Sequence, residues 1–201
     1  MPRFSNLLDF PALYRLWQAP FAAAKLRPLR HHNNLKTARR VLDVGCGPGT
    51  NSTAFSHADY LGLDLNKRYI KLARQRYRGR FEVADVRSYQ PPPGEAYDFI
   101  LLNSFLHHID DENTGRILAN MNSLLSDDGY VHILELVMPE KTSISRWLAR
   151  HDRGEYPRPL ERWKEIFSAH FNTVTLQPYP LGLGGITLWN MVYFKGRRHD
   201  V

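Results

Sequence analysis

The chain has 201 residues, 43% of them apolar and 23% charged, a balance that supports one sizeable hydrophobic core and excludes global disorder. Its 27 basic side chains outnumber 20 acidic ones, and the formal charge of +7 favours anionic partners: nucleic acid, acidic lipid headgroups, or phosphorylated and carboxylated small molecules. A single cysteine, Cys46, rules out an internal disulfide, and histidines scattered apart from His31-His32 and His107-His108 give no metal framework.

The basic residues are spread along Arg27 to Arg40, Lys67 to Arg80 and Arg146 to Arg162 without one long block, which reads as a solvated surface ahead of a nucleic-acid footprint. The first residues hold only short apolar runs broken by Asp9 and Pro11, so neither a signal peptide nor a membrane span fits, and a cytoplasmic protein is expected.

Residues 4 to 30 read as an amphipathic helix, because Phe10, Leu13, Tyr14, Trp17, Phe21 and Ala24 recur at steps of three and four, with Pro11 tolerated in the first turn. Tyr14 and Gln18, one helical turn apart, lie on or near the apolar face and are candidates to point into a cleft and bind substrate, a structural role for both being the alternative. With Lys25, Arg27 and Arg30 behind it, the same helix also suits contact with a membrane surface.

Val41 to Val44 is a short buried strand that runs into Gly45-Cys46-Gly47-Pro48-Gly49-Thr50. Glycines without Cβ atoms let a backbone approach a bound nucleotide-type ligand closely at the carboxyl end of a strand. A dinucleotide fingerprint needs glycine at the sixth place counted from Gly45, and Thr50 stands there, so the turn is not built for a pyrophosphate. Cys46, inside the turn, reads as a small filler rather than a nucleophile, which excludes pyrimidine C5 chemistry through a thiolate adduct.

Two further strands end in acids. Tyr60 to Leu65 carries Asp64, placed to accept hydrogen bonds from both hydroxyls of a ribose, and Phe81 to Val86 carries Asp85. With the order acid, any, Gly, any, Gly, any, Gly beginning at Asp43, followed by acids at the next two strand ends, the chain resembles the class I S-adenosylmethionine-dependent methyltransferases of the small-molecule type, from Val41 to roughly Lys195.

The resemblance implies a three-layer, doubly wound (Rossmann-like), mostly parallel seven-stranded α/β sheet with an antiparallel last strand, and an N-terminal helical lid. It implies S-adenosyl-L-methionine as cofactor, S-adenosyl-L-homocysteine as product, and a cofactor site at Asp43, Gly45, Cys46, Gly47, Gly49, Asp64, Leu65, Asp85, Val86 and Asn103, with Asp85 reading the adenine amino group. One domain over 1–201 is expected, with 1–38 as lid and 139–158 as a lid over the substrate.

Onward from there, Thr50 to Ser56 is expected to begin the first crossover helix, and Asn66 to cap a second that runs from Lys67 to Tyr77 and stops at Gly79. Repeating strand and helix at this length makes a parallel sheet with right-handed crossovers. Tyr97 to Leu102 is a nearly continuous apolar strand suited to the sheet centre, and its outgoing loop, Asn103 to Ile109, falls at the topological switch point. His107 and His108 there are the candidate general bases, because imidazole titrates near neutrality; equally, one of them holds the loop by hydrogen bonds.

Asp110 or Asp111 caps a helix to about Leu125, and Val131 to Val137 is a fifth strand carrying Glu135 in an apolar setting, where it pairs with a buried base or borders the cavity. Residues 139 to 158 hold no strand signal and many charges. Arg146, Arg153 and Arg158 are candidates to clamp a carboxylate or phosphate of the acceptor, and Trp147 and Tyr156 suggest that its remainder is apolar or aromatic. Pro159 starts a helix, and strands Thr173 to Gln177 and Ile186 to Lys195 close the chain.

The reaction class expected is in-line methyl transfer to a small, partly apolar or aromatic, anionic or neutral acceptor. An RNA methyltransferase and a non-catalytic protein on the same fold remain alternatives. Neither the acceptor atom nor the oligomeric state is legible in the residues.

Overall fold

The computed structural model describes residues 21, 23–151 and 154–199. Five strands, β1 (Arg40–Val44), β2 (Asp59–Asp64), β3 (Arg80–Val83), β4 (Tyr97–Asn103) and β5 (Leu125–Val137), run parallel, while β6 (Phe171–Leu183) and β7 (Ile186–Arg198) form a hairpin whose second strand lies antiparallel to β5. The order is β3-β2-β1-β4-β5-β7-β6, so the reversal of direction falls between β1 and β4. This is the expected doubly wound sheet, with β7 inserted between β5 and β6.

Alternation along the strands divides the core. Leu42, Val44, Leu61, Leu63, Ile100, Leu102, Val131 and Ile133 point to one face, where α3 (Asp111–Leu124) and α5 (Leu160–Ser168) cover them with Ile117, Leu118, Met121, Trp163 and Phe167. Val41, Phe99, Leu101, Leu134 and Tyr193 point to the other, under Leu29 of α1 (Arg27–His32) and Ile70 and Ala73 of α2 (Lys67–Arg76). The central strands β1, β2 and β4 are apolar on both sides because helices lie on both sides, whereas the edge strands β3 and β6 are largely exposed.

Local signals explain most boundaries. Asn66 caps α2 by accepting from Arg68 and Tyr69, Asp110 caps α3 by accepting from Asn113, and Pro159 precedes α5. Two expectations are corrected and one element is added. The first crossover, Thr50–Phe55, is a short 3-10 helix rather than an α-helix, because the hydroxyls of Ser52 and Thr53 bond back to the carbonyls of Gly49 and Thr50. The segment after β5 contains a helix, α4 (Ile144–His151). Finally, β5, β6 and β7 all outrun their predicted ends: β6 and β7 pair with each other along their length, and β5 begins early because Leu125 pairs with Tyr97 of β4.

Of the expected N-terminal helix, Tyr14 and Gln18 lie outside the described residues, as does Arg153. Among the described residues no helix is long and apolar enough to cross a membrane.

Trp163 anchors α5: it is fully buried, donates from Nε1 to the Leu136 carbonyl at 2.8 Å and stacks on Phe167. Truncation would leave a large void and an unpaired carbonyl. Trp163→Ala is expected to destabilise the chain by about 3–5 kcal/mol in denaturant titration, with an unchanged m value.

Candidate active site

The carboxyl ends of β1 to β4 surround a cavity of about 340 Å³. Its wall includes Gly45 from the glycine turn, Asp64 and Leu65 from the end of β2, Ala84, Asp85 and Val86 after β3, and His108 after β4; Glu155 and Tyr156 close one side. The site therefore stands at the switch point, where the crossovers leave the sheet in opposite senses and a crevice must open.

Gly45, Gly47 and Gly49 all take positive φ, as the sequence requires of this turn. At Gly45 a second constraint applies: a Cβ there would sit 2.5 Å from the Phe105 ring, so the turn and the β4 loop meet only because the side chain is missing. Asp64 joins the turn to β2, accepting from the Gly47 amide at 2.9 Å and from the Asn66 amide at 2.7 Å.

Asp43 and Cys46, expected at the cofactor, face the interior instead. Asp43 shares the sheet face of Val41 and is fully buried, accepting from the Tyr60 hydroxyl at 2.5 Å and from the Asn51 amide at 3.1 Å. Burial pushes its carboxyl up to about 7, against the lowering effect of those two donors. The Cys46 thiol packs over Gly62, and burial raises it far above the ordinary range, which makes it the filler its position suggested. Asn51 then donates to Asp43 while accepting from Asn103, whose Oδ1 is buried without a hydrogen-bond partner among the described residues. Beside it, Ser104 takes a left-handed φ of 53°.

The two histidines have different environments. His107 is buried, with Nδ1 2.7 Å from Oε2 of Glu135, and so answers the question of what Glu135 pairs with. His108 is exposed on the cavity wall. Glu135 also accepts from the amides of Phe105 at 2.7 Å and Leu106 at 2.6 Å, which fixes the whole loop. Although burial works to raise it, His107 and these amides hold the carboxyl below its ordinary value.

Two of the arginines expected on the acceptor are engaged in holding the lid. Arg158 is buried, paired with Asp111 at 2.7 Å, bonded to the carbonyls of Leu106 and Ile109 and stacked over Trp163. Arg146 donates to the carbonyls of Pro139 and Glu140. Trp147 is exposed on α4, away from the cavity lining. The lid reaches the site through Tyr156, whose amide donates to the His107 carbonyl at 2.9 Å, and through Gly154, where a Cβ would clash with the His107 ring.

Sequence reading missed Arg87, Asn113, Glu155 and Phe105 on the wall and Asn51 behind it. Only Arg87 left a trace, as a cation two residues after the strand-end acid.

An adenosyl cofactor suits what is present: two strand-end carboxylates and apolar Leu65, Val86 and Ile117 line the cavity, and behind the lining lies the unpartnered buried acceptor of Asn103. Among the described residues no group of histidine, cysteine or acidic side chains could hold a metal.

The raised carboxyl of Asp43 has a consequence for stability. A folded-state value near 7, above an unfolded value of about 4, means that the folded chain holds the proton more tightly, so stability falls as pH rises between those values. Asp43→Asn is expected to flatten thermal stability against pH over that window; an unchanged slope in the variant would place the effect elsewhere.

Residues 41–129 match the family described as a methyltransferase domain. A trans-aconitate 2-methyltransferase of Variovorax paradoxus is 31% identical over 209 residues, with 93% of this chain and 73% of the relative covered. That of Delftia acidovorans is 34% identical over 145 residues, covering 67% of this chain and 50% of the relative. The chain thus spans about half the length of several of the curated relatives it matches. Among solved structures, a S-adenosylmethionine-dependent methyltransferase of Methanosarcina mazei superposes with a TM-score of 0.68 at 18% identity, covering 86% of this chain and 98% of its own. The O-methyltransferase of a polyketide synthase of Brevibacillus brevis, in complex with S-adenosyl-L-homocysteine, gives 0.63 at 21%, covering 88% and 62%. With the strand order, the glycine turn and the paired strand-end acids already in place, these likenesses establish that the chain belongs to the class I S-adenosylmethionine-dependent methyltransferases.

Proposed function

We propose that the chain transfers a methyl group from S-adenosyl-L-methionine to a small acceptor. The observation that carries this reading is the pairing of Asp64 and Asp85 on one cavity wall, at successive strand ends, beside a glycine turn that leaves Gly45 open to the cavity. The cofactor, when bound, supplies an electrophilic methyl group on a sulfonium. The protein supplies position and dryness.

Asp64 is the partner for the ribose hydroxyls, and the amides of Gly47 in the turn and of Asn66 after β2 hold its carboxylate in place. Asp85 takes the adenine amino group, and Leu65 and Val86 lie against the ring. His108 is the general base for acceptors that must lose a proton, since it is the histidine on the cavity. His107, tied to Glu135, positions it.

Phe105, Ile109 and Tyr156 support an acceptor that is partly apolar or aromatic. The relatives named for trans-aconitate make small carboxylic acids the first acceptors to try. Any carboxylate would be met by groups other than Arg146, which is engaged within the lid, and Arg158, which is engaged by α3 and the β4 loop.

Calorimetric titration with S-adenosyl-L-homocysteine tests the cofactor half; a chain that binds neither it nor the methylated form is not a methyltransferase. Asp64→Ala is expected to weaken binding by roughly 1–3 kcal/mol. For the chemical half, transfer of radiolabelled methyl to small acids and phenols gives the assay. In it His108→Ala should lower kcat by about 10²- to 10⁴-fold while cofactor affinity stays at the wild-type value.

A further inference from the structure

The carboxylate of Asp85 is held from outside the cavity's acid pair. Arg87, two residues on, folds back over it, with Nε 2.9 Å from Oδ1 and 3.1 Å from Oδ2, Nη2 2.6 Å from Oδ2, and its own amide 3.0 Å from Oδ1. The remaining arm, Nη1, donates to Oδ1 of Asn113 at 3.1 Å. Asn113 is fixed in turn by Asp110, which accepts from its amide N–H and from its side chain, each at 2.8 Å. All four residues line the cavity. A polar strap thus runs from the end of β3 to the first turn of α3.

Such a strap contributes little to folding. The Arg87 side chain is 45% exposed, and an ion pair in that setting is largely screened by water. Its geometry is nonetheless specific, because a planar guanidinium offers a fixed fork that suits one carboxylate orientation, which an ammonium does not. Arg87 brings three donors to the carboxylate, its Nε shared between the two oxygens, so of about four lone-pair sites one is left for a further donor. A side chain that adds little stability but fixes the orientation of an acid on the wall is placed to serve whatever that acid binds.

We propose that Arg87 is a positioning residue for the adenine end of the cavity: it acts through Asp85, fixing the carboxylate that receives the exocyclic amino group, and through Asn113 it ties that wall to α3. This rests on the cofactor reading given above. Nothing in the strap touches the reacting atoms, so its effect belongs in cofactor affinity and base selectivity.

The test is calorimetric binding to the full chain of two probes, S-adenosyl-L-homocysteine and its S-inosyl counterpart, in which an oxo group replaces the amino group. Arg87→Ala is expected to weaken the adenosyl probe by roughly 5- to 30-fold, a loss of 1–2 kcal/mol. The inosyl probe should change little, and the ligand-free melting temperature should stay within about a degree or two of wild type, as for an exposed ion pair. Arg87→Lys should recover only part of the affinity. Arg87→Ala combined with Asp85→Ala should weaken binding no more than Asp85→Ala alone, because one acts through the other.

Wild-type affinity in Arg87→Ala, an equal loss for both probes, or additive losses in the double variant would each overturn the proposal while leaving the cofactor reading intact. A wild-type chain that binds neither probe would overturn the cofactor reading and this inference with it.

Discussion

A carboxylate that water cannot reach holds this site together. Glu135 is fully buried on β5, and isolated burial of such a charge would be prohibitive. It is tolerated because four donors converge on it: the amides of Phe105, Leu106 and Leu136 and the imidazole of His107. Three of the four belong to the loop leaving β4, so satisfying the charge and shaping the loop are one event. Replacing the network with apolar side chains could stabilise the fold as well or better, but would leave the loop free to choose its conformation.

Much of the cavity's geometry descends from that loop. Phe105 closes against Gly45, which sets the distance between the glycine turn and the switch point. The carbonyl of His107 receives the lid at Tyr156, and those of Leu106 and Ile109 receive Arg158, which carries the chain onward to Trp163 and the core. The buried pair of β5 is thereby connected to the lid through backbone groups rather than through further charges. His108, left on the wall by its neighbour's burial, gains a defined place without having to be buried itself.

A second polar line, from Tyr60 through Asp43 and Asn51 to Asn103, runs beneath the glycine turn on the opposite sheet face. It ends in an acceptor with no donor and a left-handed serine, the pattern expected where a fold is strained toward a ligand. The outer wall is held by the exposed strap of Asp85, Arg87, Asn113 and Asp110. Buried networks thus fix the loops around the switch point, and a water-exposed one fixes the outer wall of the cavity.

Periodicity and turn chemistry alone determine the order of elements, the glycine turn, the strand-end acids, the cap at Asn66, the helix start at Pro159 and, to within Asp110 or Asp111, a third cap, because each depends on residues within a few positions of one another. The resemblance those motifs carry supplies the hairpin with its reversed strand. Tertiary structure alone decides which side of the sheet each polar residue faces. Asp43 and Glu135 read alike, as acids in apolar strands, yet one lies under the turn and the other organises the switch-point loop. His107 and His108 are adjacent in sequence and differ in burial; Arg158 looks like a surface clamp and is a buried strut. Such assignments hang on contacts between β5 and the β4 loop, or between the lid and α3, separated by tens of residues, and local sequence carries no record of which partner waits across that gap.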